Sequence, residues 1–213
     1  MPQNCCRTDY DALFDESTAR RELAAYRHKG VGGATRRLVD ALRAQGVEGA
    51  TLLDIGGGIG AIQHELLDAG ATGSLAVEAS HAYLAAARLE AEARGFGDRA
   101  EHRYGDFVDL APEVAPADIV TLDRVICCYG DMPALVSASV QRARRLYGLV
   151  YPVDRWWLRL GIRIPNAFLA LARRSFRGHI HPTRSVDALV RSHGLQPLLH
   201  HRGLIWQVAL YSR

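Results

Sequence analysis

Lysine is almost absent from this chain. Lys29 is the single one, and arginine supplies the rest of the 26 basic residues. Against 23 acidic residues they leave a net charge of only +3. No concentrated basic stripe with interleaved aromatics stands out, so a nucleic-acid partner is not expected. The densest basic stretch, residues 155–177, is also strongly apolar. No apolar run is both long and uncharged enough to span a bilayer, which argues against stable membrane insertion. The opening Met-Pro-Gln-Asn-Cys-Cys lacks the apolar core of a secretory signal, so a cytoplasmic location is expected. Cysteine is scarce as well: four residues in two adjacent pairs, Cys5-Cys6 and Cys127-Cys128. Neighbouring cysteines in a reducing compartment do not make a disulfide framework. What is present, 48% hydrophobic and 23% charged residues over 213 positions, is the composition of an ordinary globular domain.

The hydrophobic pattern alternates between two periods. Apolar positions over 8–28 and an amphipathic run over 34–45, stopped by Gly46, predict helices ahead of the first strand. Short apolar strands are then expected at 51–55, 74–77, 100–104, 118–122 and 146–151. Helices are expected between them at 59–69, 81–94 and 132–145. Such alternation with short loops predicts a parallel, doubly wound sheet with helices on both faces. Beyond Pro152 the texture changes. An apolar and basic stretch over 155–177 is interrupted by Pro165. A helix over 184–193 is capped by Thr183, and two strands at 195–201 and 204–211 form an antiparallel pair around Arg202-Gly203.

Ligands of such sheets sit beyond the carboxyl ends of the strands, and here those ends carry Asp54, Glu78, Asp106 and Asp123. The turn after the first strand, Asp54-Ile55-Gly56-Gly57-Gly58-Ile59-Gly60, lets backbone approach a ligand closely and is backed by a helix N-terminus. Gly56, Gly58 and Ala61 also satisfy the dinucleotide pattern G-x-G-x-x-G/A, so a nicotinamide oxidoreductase is a competing reading. Glu78 suits two ribose hydroxyls. Asp106 beside Phe107 suits an adenine, whose amine would meet the carboxylate and whose ring would meet the apolar face.

As a set, these residues resemble the class I S-adenosylmethionine-dependent methyltransferases over roughly 34–151. Leu53 to Gly60 resembles their first motif, Glu78 their ribose-binding acid, Gly105-Asp106-Phe107 their adenine-side motif, and Asp118 to Asp123 their fourth strand. A more distant similarity, to small-molecule O-methyltransferases of the magnesium-protoporphyrin type, rests on Tyr26 to Gly30 and on His181-Pro182-Thr183. The resemblance implies a Rossmann-like, mostly parallel seven-stranded sheet ending in an antiparallel pair, in one domain over 1–213. It implies a helical lid over 1–33, a cofactor-binding core over 34–151, a substrate-side insertion over 152–182, and a closing helix and strand pair over 183–213. It implies S-adenosylmethionine as cofactor, S-adenosylhomocysteine as product and a small-molecule methyl acceptor. A homodimer is compatible with it. The expected cofactor-binding residues are Tyr26, Lys29, Asp54, Gly56, Gly57, Gly58, Gly60, Glu78, Ala79, Gly105, Asp106, Phe107, Asp123 and Arg124. A non-catalytic sensor of the cofactor on the same fold is a third reading.

The loop after the fourth strand would face the transferred methyl group. Many members of the resembled family carry paired histidines there; this chain carries Cys127-Cys128-Tyr129. The two cysteines read as packing residues, as substrate contacts, or, joined by Cys5-Cys6, as holders of a soft metal or metalloid. Adjacent cysteines lack the C-x₂-C spacing of a zinc site, and no metal is expected. If the reaction uses a base, Tyr129 or His181 would supply it. Trp156 and His179 complete the expected substrate contacts. Residues 155–177, basic and apolar with two Trp, read either as a segment lying on a membrane surface or, in preference, as a lid over the substrate, whose apolar character would favour a hydrophobic or aromatic acceptor.

Overall fold

Thr51–Ile55 forms the first strand, β1, at the bounds its apolar run predicts. It is paired in parallel with β2 (Gly73–Glu78) on one side and β4 (Ala117–Asp123) on the other. The computed structural model, which describes residues 7–174 and 176–213, places β3 (Ala100–Tyr104) beyond β2 and β5 (Ala143–Pro152) beyond β4. The chain then turns back: β7 (Trp206–Ser212) runs antiparallel between β5 and β6 (Gln196–Arg202). The seven-stranded order is β3-β2-β1-β4-β5-β7-β6. This is the expected Rossmann-like sheet, mostly parallel with an antiparallel C-terminal pair.

Strand side chains alternate between two faces, and each face has its own core. On one side Leu52, Ile119, Leu146 and Val150 pack under α2 (Glu16–Lys29), α3 (Gly33–Ala44), α4 (Ala61–Asp68) and α5 (His81–Ala93). On the other, Leu53, Val120, Leu122 and Leu149 pack under α6 (Phe107–Leu110), α7 (Met132–Val140) and α10 (Thr183–Ser192). A first helix, α1 (Arg7–Leu13), precedes these, and α8 (Trp156–Gly161) and α9 (Arg163–Leu171) follow β5. No helix among the described residues is long and apolar enough to cross a membrane.

Three local expectations are corrected. The helix expected to Arg145 ends at Val140, because residues 143–145 join β5, where Ala143 pairs with Ala117. Sheet pairing overrides the helical preference of an Ala-Arg-Arg run that has no Gly or Pro to mark its start. Thr183 does not cap α10; Pro182 stands at the cap position, and the Thr183 hydroxyl accepts from Gln207 Nε2 at 2.9 Å. Pro165 does not interrupt a helix. It sits in the first turn of α9, where its missing N–H costs nothing, and the break falls at Ile162.

Candidate active site

The three parallel strands β1, β2 and β4 end in Ile55, Glu78 and Asp123, and the loops leaving them enclose a cavity of about 590 Å³. Its floor is the glycine turn. Gly56 and Gly58 have φ of 62° and 57°, a region where a Cβ is strained. A Cβ on Gly57 would lie 2.5 Å from Asp54 Oδ2, and one on Gly56 2.7 Å from a Val125 methyl. The turn is therefore packed from below by the acid that starts it, and only backbone fits.

Asp54 is buried. Its Oδ1 accepts the Thr121 hydroxyl at 2.6 Å, while Oδ2 has no hydrogen-bond partner among the described residues. Burial pushes its pKa up to about 7, against the pull of the Thr121 bond. A buried carboxylate oxygen left unpaired beside a cavity is costly unless a donor or cation meets it.

Glu78 is held by backbone: Oε2 accepts Gly58 N at 2.9 Å and Oε1 accepts Ser80 N at 2.9 Å. Burial raises its pKa, and these N–H bonds oppose the rise. Asp106 caps α6 by accepting Val108 N at 2.9 Å, and the Tyr129 hydroxyl lies 3.1 Å from both its oxygens. Asp123 Oδ2 accepts the Thr35 hydroxyl at 2.7 Å. Its Oδ1 is 3.5 Å from Arg124 Nε, an ionic contact without hydrogen-bond geometry. Arg124 adopts a φ of 62°, a left-handed conformation uncommon outside glycine, and donates to the Thr35 hydroxyl at 3.0 Å.

Of the residues expected to bind cofactor, Tyr26, Lys29, Asp54, Gly56, Gly57, Gly58, Glu78, Ala79, Gly105, Asp106, Phe107, Asp123 and Arg124 line this one cavity. Gly60 stands behind it as the left-handed N-cap of α4, against His64. Cys128 and Tyr129 also line it. Cys127, Trp156, His179 and His181 do not. Trp156 is largely exposed at the start of α8. His179 N donates to Cys127 O at 2.7 Å, and His181 Nε2 lies 2.8 Å from Ile126 O and 3.3 Å from Tyr129 O. The two histidines thus clamp the outer side of the 126–129 turn rather than reach through it. The cysteine sulfurs are 3.7 Å apart. Their mutual hydrogen bond pushes the Cys127 thiol up, with burial acting in the same direction, and draws Cys128 down against the effect of burial. Cys5-Cys6, the other half of the metalloid reading, lie outside the described residues, and no cluster of three metal-ligating side chains occurs among the described ones.

The sequence resemblance implies a lid over 1–33 but does not name most of the residues that form the roof. Tyr10, Phe14, Glu22, Val31, Thr35 and Tyr83 all line the cavity. Tyr10 OH donates to Cys128 O at 2.8 Å, Ser80 Oγ to Phe14 O at 2.7 Å, and His81 N to Asp11 Oδ1 at 2.8 Å. Phe14 packs edge-on against Tyr83 at 5.5 Å. A second anchor lies further out, where buried Glu90 of α5 accepts from Arg27 of α2 at 2.6 Å and from Arg94 at 2.7 Å. Burial acts to raise the Glu90 pKa, but the bonds to Arg94 and Arg27 outweigh it and leave it lowered.

No family model and no curated sequence matches the chain. Solved structures do. Magnesium protoporphyrin IX methyltransferase from Synechocystis PCC 6803, with bound SAH, superposes with a TM-score of 0.74 at 17% identity over 97% of both chains. An O-methyltransferase family protein from Burkholderia thailandensis superposes with a TM-score of 0.71 at 18% identity; this chain spans 63% of that one. The cyclase SpnF gives a TM-score of 0.64 at 14% identity over 83% of this chain and 80% of its own. The sheet order, the turn after β1 and these likenesses together give the chain the fold of the S-adenosylmethionine-dependent methyltransferases.

Proposed function

We propose that the protein is an S-adenosylmethionine-dependent methyltransferase acting on a small, hydrophobic or aromatic molecule. One observation carries the choice of cofactor. Glu22, Asp54, Glu78, Asp106 and Asp123 line the cavity against only Lys29 and Arg124. An acid-rich, half-desolvated cavity suits a ligand with an ammonium and a sulfonium, and repels the pyrophosphate of a dinucleotide.

The residues fit the group. Asp54 Oδ2, unpaired beside the glycine turn, would meet the ammonium of the methionyl end, and Lys29 its carboxylate. Glu78, its carboxylate fixed by Gly58 and Ser80, would accept the ribose hydroxyls; Asp106 would accept the adenine amine. When bound, the cofactor supplies a methyl group on sulfur that a nucleophile displaces in line. The protein's part is then to hold the acceptor close and exclude water, which Tyr10, Phe14 and Tyr83 do from the roof. Cys128, Tyr129 and Leu135 line the wall left for the acceptor. Neither expected base is free: the Tyr129 hydroxyl faces Asp106 and the His181 ring faces backbone carbonyls. The reading therefore uses positioning in place of a general base.

Calorimetric titration with S-adenosylmethionine, S-adenosylhomocysteine, NAD and NADP tests this. Binding of the first two alone is expected. Binding of the nicotinamide cofactors alone would overturn the cofactor assignment. Cofactor binding without turnover on a panel of phenolic and carboxylic acceptors would point to the sensor.

A further inference from the structure

The helices α8 and α9 contain no buried residue, although they are rich in Trp, Leu, Ile and Phe. The exposed positions are not scattered. Leu160, Arg163, Ile164, Ala167, Phe168 and Leu171 line one shallow apolar hollow, and their spacing of three and four residues puts them on one face of a nearly continuous helix. Trp156 begins the same side at 76% exposed; Ile164, Phe168 and Leu171 are 62%, 68% and 83% exposed. A contiguous apolar stripe of this kind marks an interaction surface. The opposite side is tied down. Asn166 exchanges two hydrogen bonds of 2.8 Å with the backbone of Gly178, so the stripe faces outward by construction.

The charge around it has one sign. Residues 155–177 hold Arg155, Arg159, Arg163, Arg173, Arg174 and Arg177 and no acid. Only Arg159 of these has a carboxylate partner among the described residues, Asp154 at 2.6 Å. The others are counter-ions without an ion. A second copy presenting the same face would bring the two arginine sets together, and like charges disfavour that pairing.

We propose that α8 and α9 dock the protein on the surface of an anionic phospholipid bilayer. The stripe would enter the boundary between headgroups and acyl chains, and the arginines would meet lipid phosphates and carboxylates. Trp156 and Trp157 stand where amphipathic rings settle in such boundaries. Docking is peripheral, since neither helix is long enough to cross. β5 ends at Pro152 on the same sheet edge as β1, β2 and β4, so the cavity side of the sheet would approach the bilayer. None of this depends on the choice of cofactor.

Co-sedimentation of the full chain with vesicles of phosphatidylcholine alone, and of phosphatidylcholine with phosphatidylserine, tests it. Binding to the mixed vesicles at low salt, with a blue shift of tryptophan emission and loss at high salt, is expected. Each of Arg163→Gln, Arg173→Gln and Arg174→Gln should lower the partition coefficient roughly five-fold. Ile164→Asp with Phe168→Asp should abolish binding, while circular dichroism and cofactor titration stay unchanged. Three outcomes would overturn the proposal: no binding to mixed vesicles, binding that survives the double Asp variant, or a dimer by light scattering that the double variant dissolves.

Discussion

The turn after β1 and the helices after β5 leave the same edge of the sheet and end in opposite conditions. In the turn, there is no room to add an atom: Gly57 has no space for a methyl group, Asp54 is buried, and Arg124 beside it is held in a left-handed conformation. In α8 and α9, no side chain is buried. The first region resists change because its neighbours over-determine it. The second tolerates change in the folded state, and its composition answers to whatever lies outside the molecule. Close packing makes residues specific one by one; exposure makes them meaningful only as a pattern of apolarity and charge.

This contrast can be broken or sharpened by substitution. Gly57→Ala should have the largest effect. The added methyl must displace Asp54 Oδ2 from 2.5 Å, costing about 1–3 kcal/mol of stability and roughly a hundred-fold or more of S-adenosylmethionine affinity by calorimetry. Unchanged affinity would mean the turn does not carry the cofactor. Asp54→Asn keeps the shape and removes the charge. Affinity should fall roughly ten- to hundred-fold, while the melting temperature stays level or rises, because a buried ionised group is relieved.

The same residue sets a pH dependence. Its raised value, about 7 against 3.8, means that the folded form keeps a proton the unfolded chain has shed. Stability should therefore fall as pH climbs through that window. Affinity for a cationic ligand should run the other way, rising with pH to about 7 and then levelling. Asp54→Asn should flatten the Asp54 part of both profiles.

Glu90→Gln comes next. Loss of the charge leaves Arg27 and Arg94 without their shared carboxylate and should cost about 1–2 kcal/mol in urea unfolding. Faster amide exchange in α2 should accompany it, since that contact pins the roof. The smallest effect is expected at the exposed helices. Leu171→Ser should change stability by less than about 0.5 kcal/mol. A loss of several kcal/mol there would show that α9 packs on something.

The strand ends were readable in the sequence because they obey local rules. A short apolar run closed by Asp or Glu, followed by a glycine turn or a helix cap, places Asp54, Glu78 and Asp106 on one edge without further information. The roof obeys no such rule. Tyr10, Phe14 and Thr35 reach the cavity through contacts to Cys128, Ser80 and Asp123, each more than sixty positions away in sequence. His181 looked like a base because chain order cannot tell a ring that enters a cavity from one that binds the carbonyls behind it. Trp156 was expected over the substrate because apolarity was read as burial. The missed helix end at Val140 has the same origin: nothing local announces that residues 143–145 have a strand partner.

One of the two edge strands, β6, shows how the fold keeps to itself. Among the described residues β6 is paired only with β7, and nearly all its residues are exposed, so its other side is a template on which another chain could continue the sheet. Pro197 has no N–H to offer, and the register shifts between Pro197 and Leu199. His200, His201 and Arg202 follow with bulk and polarity. Growth of the sheet by strand addition, the usual first step toward insoluble aggregates, is therefore disfavoured at this edge.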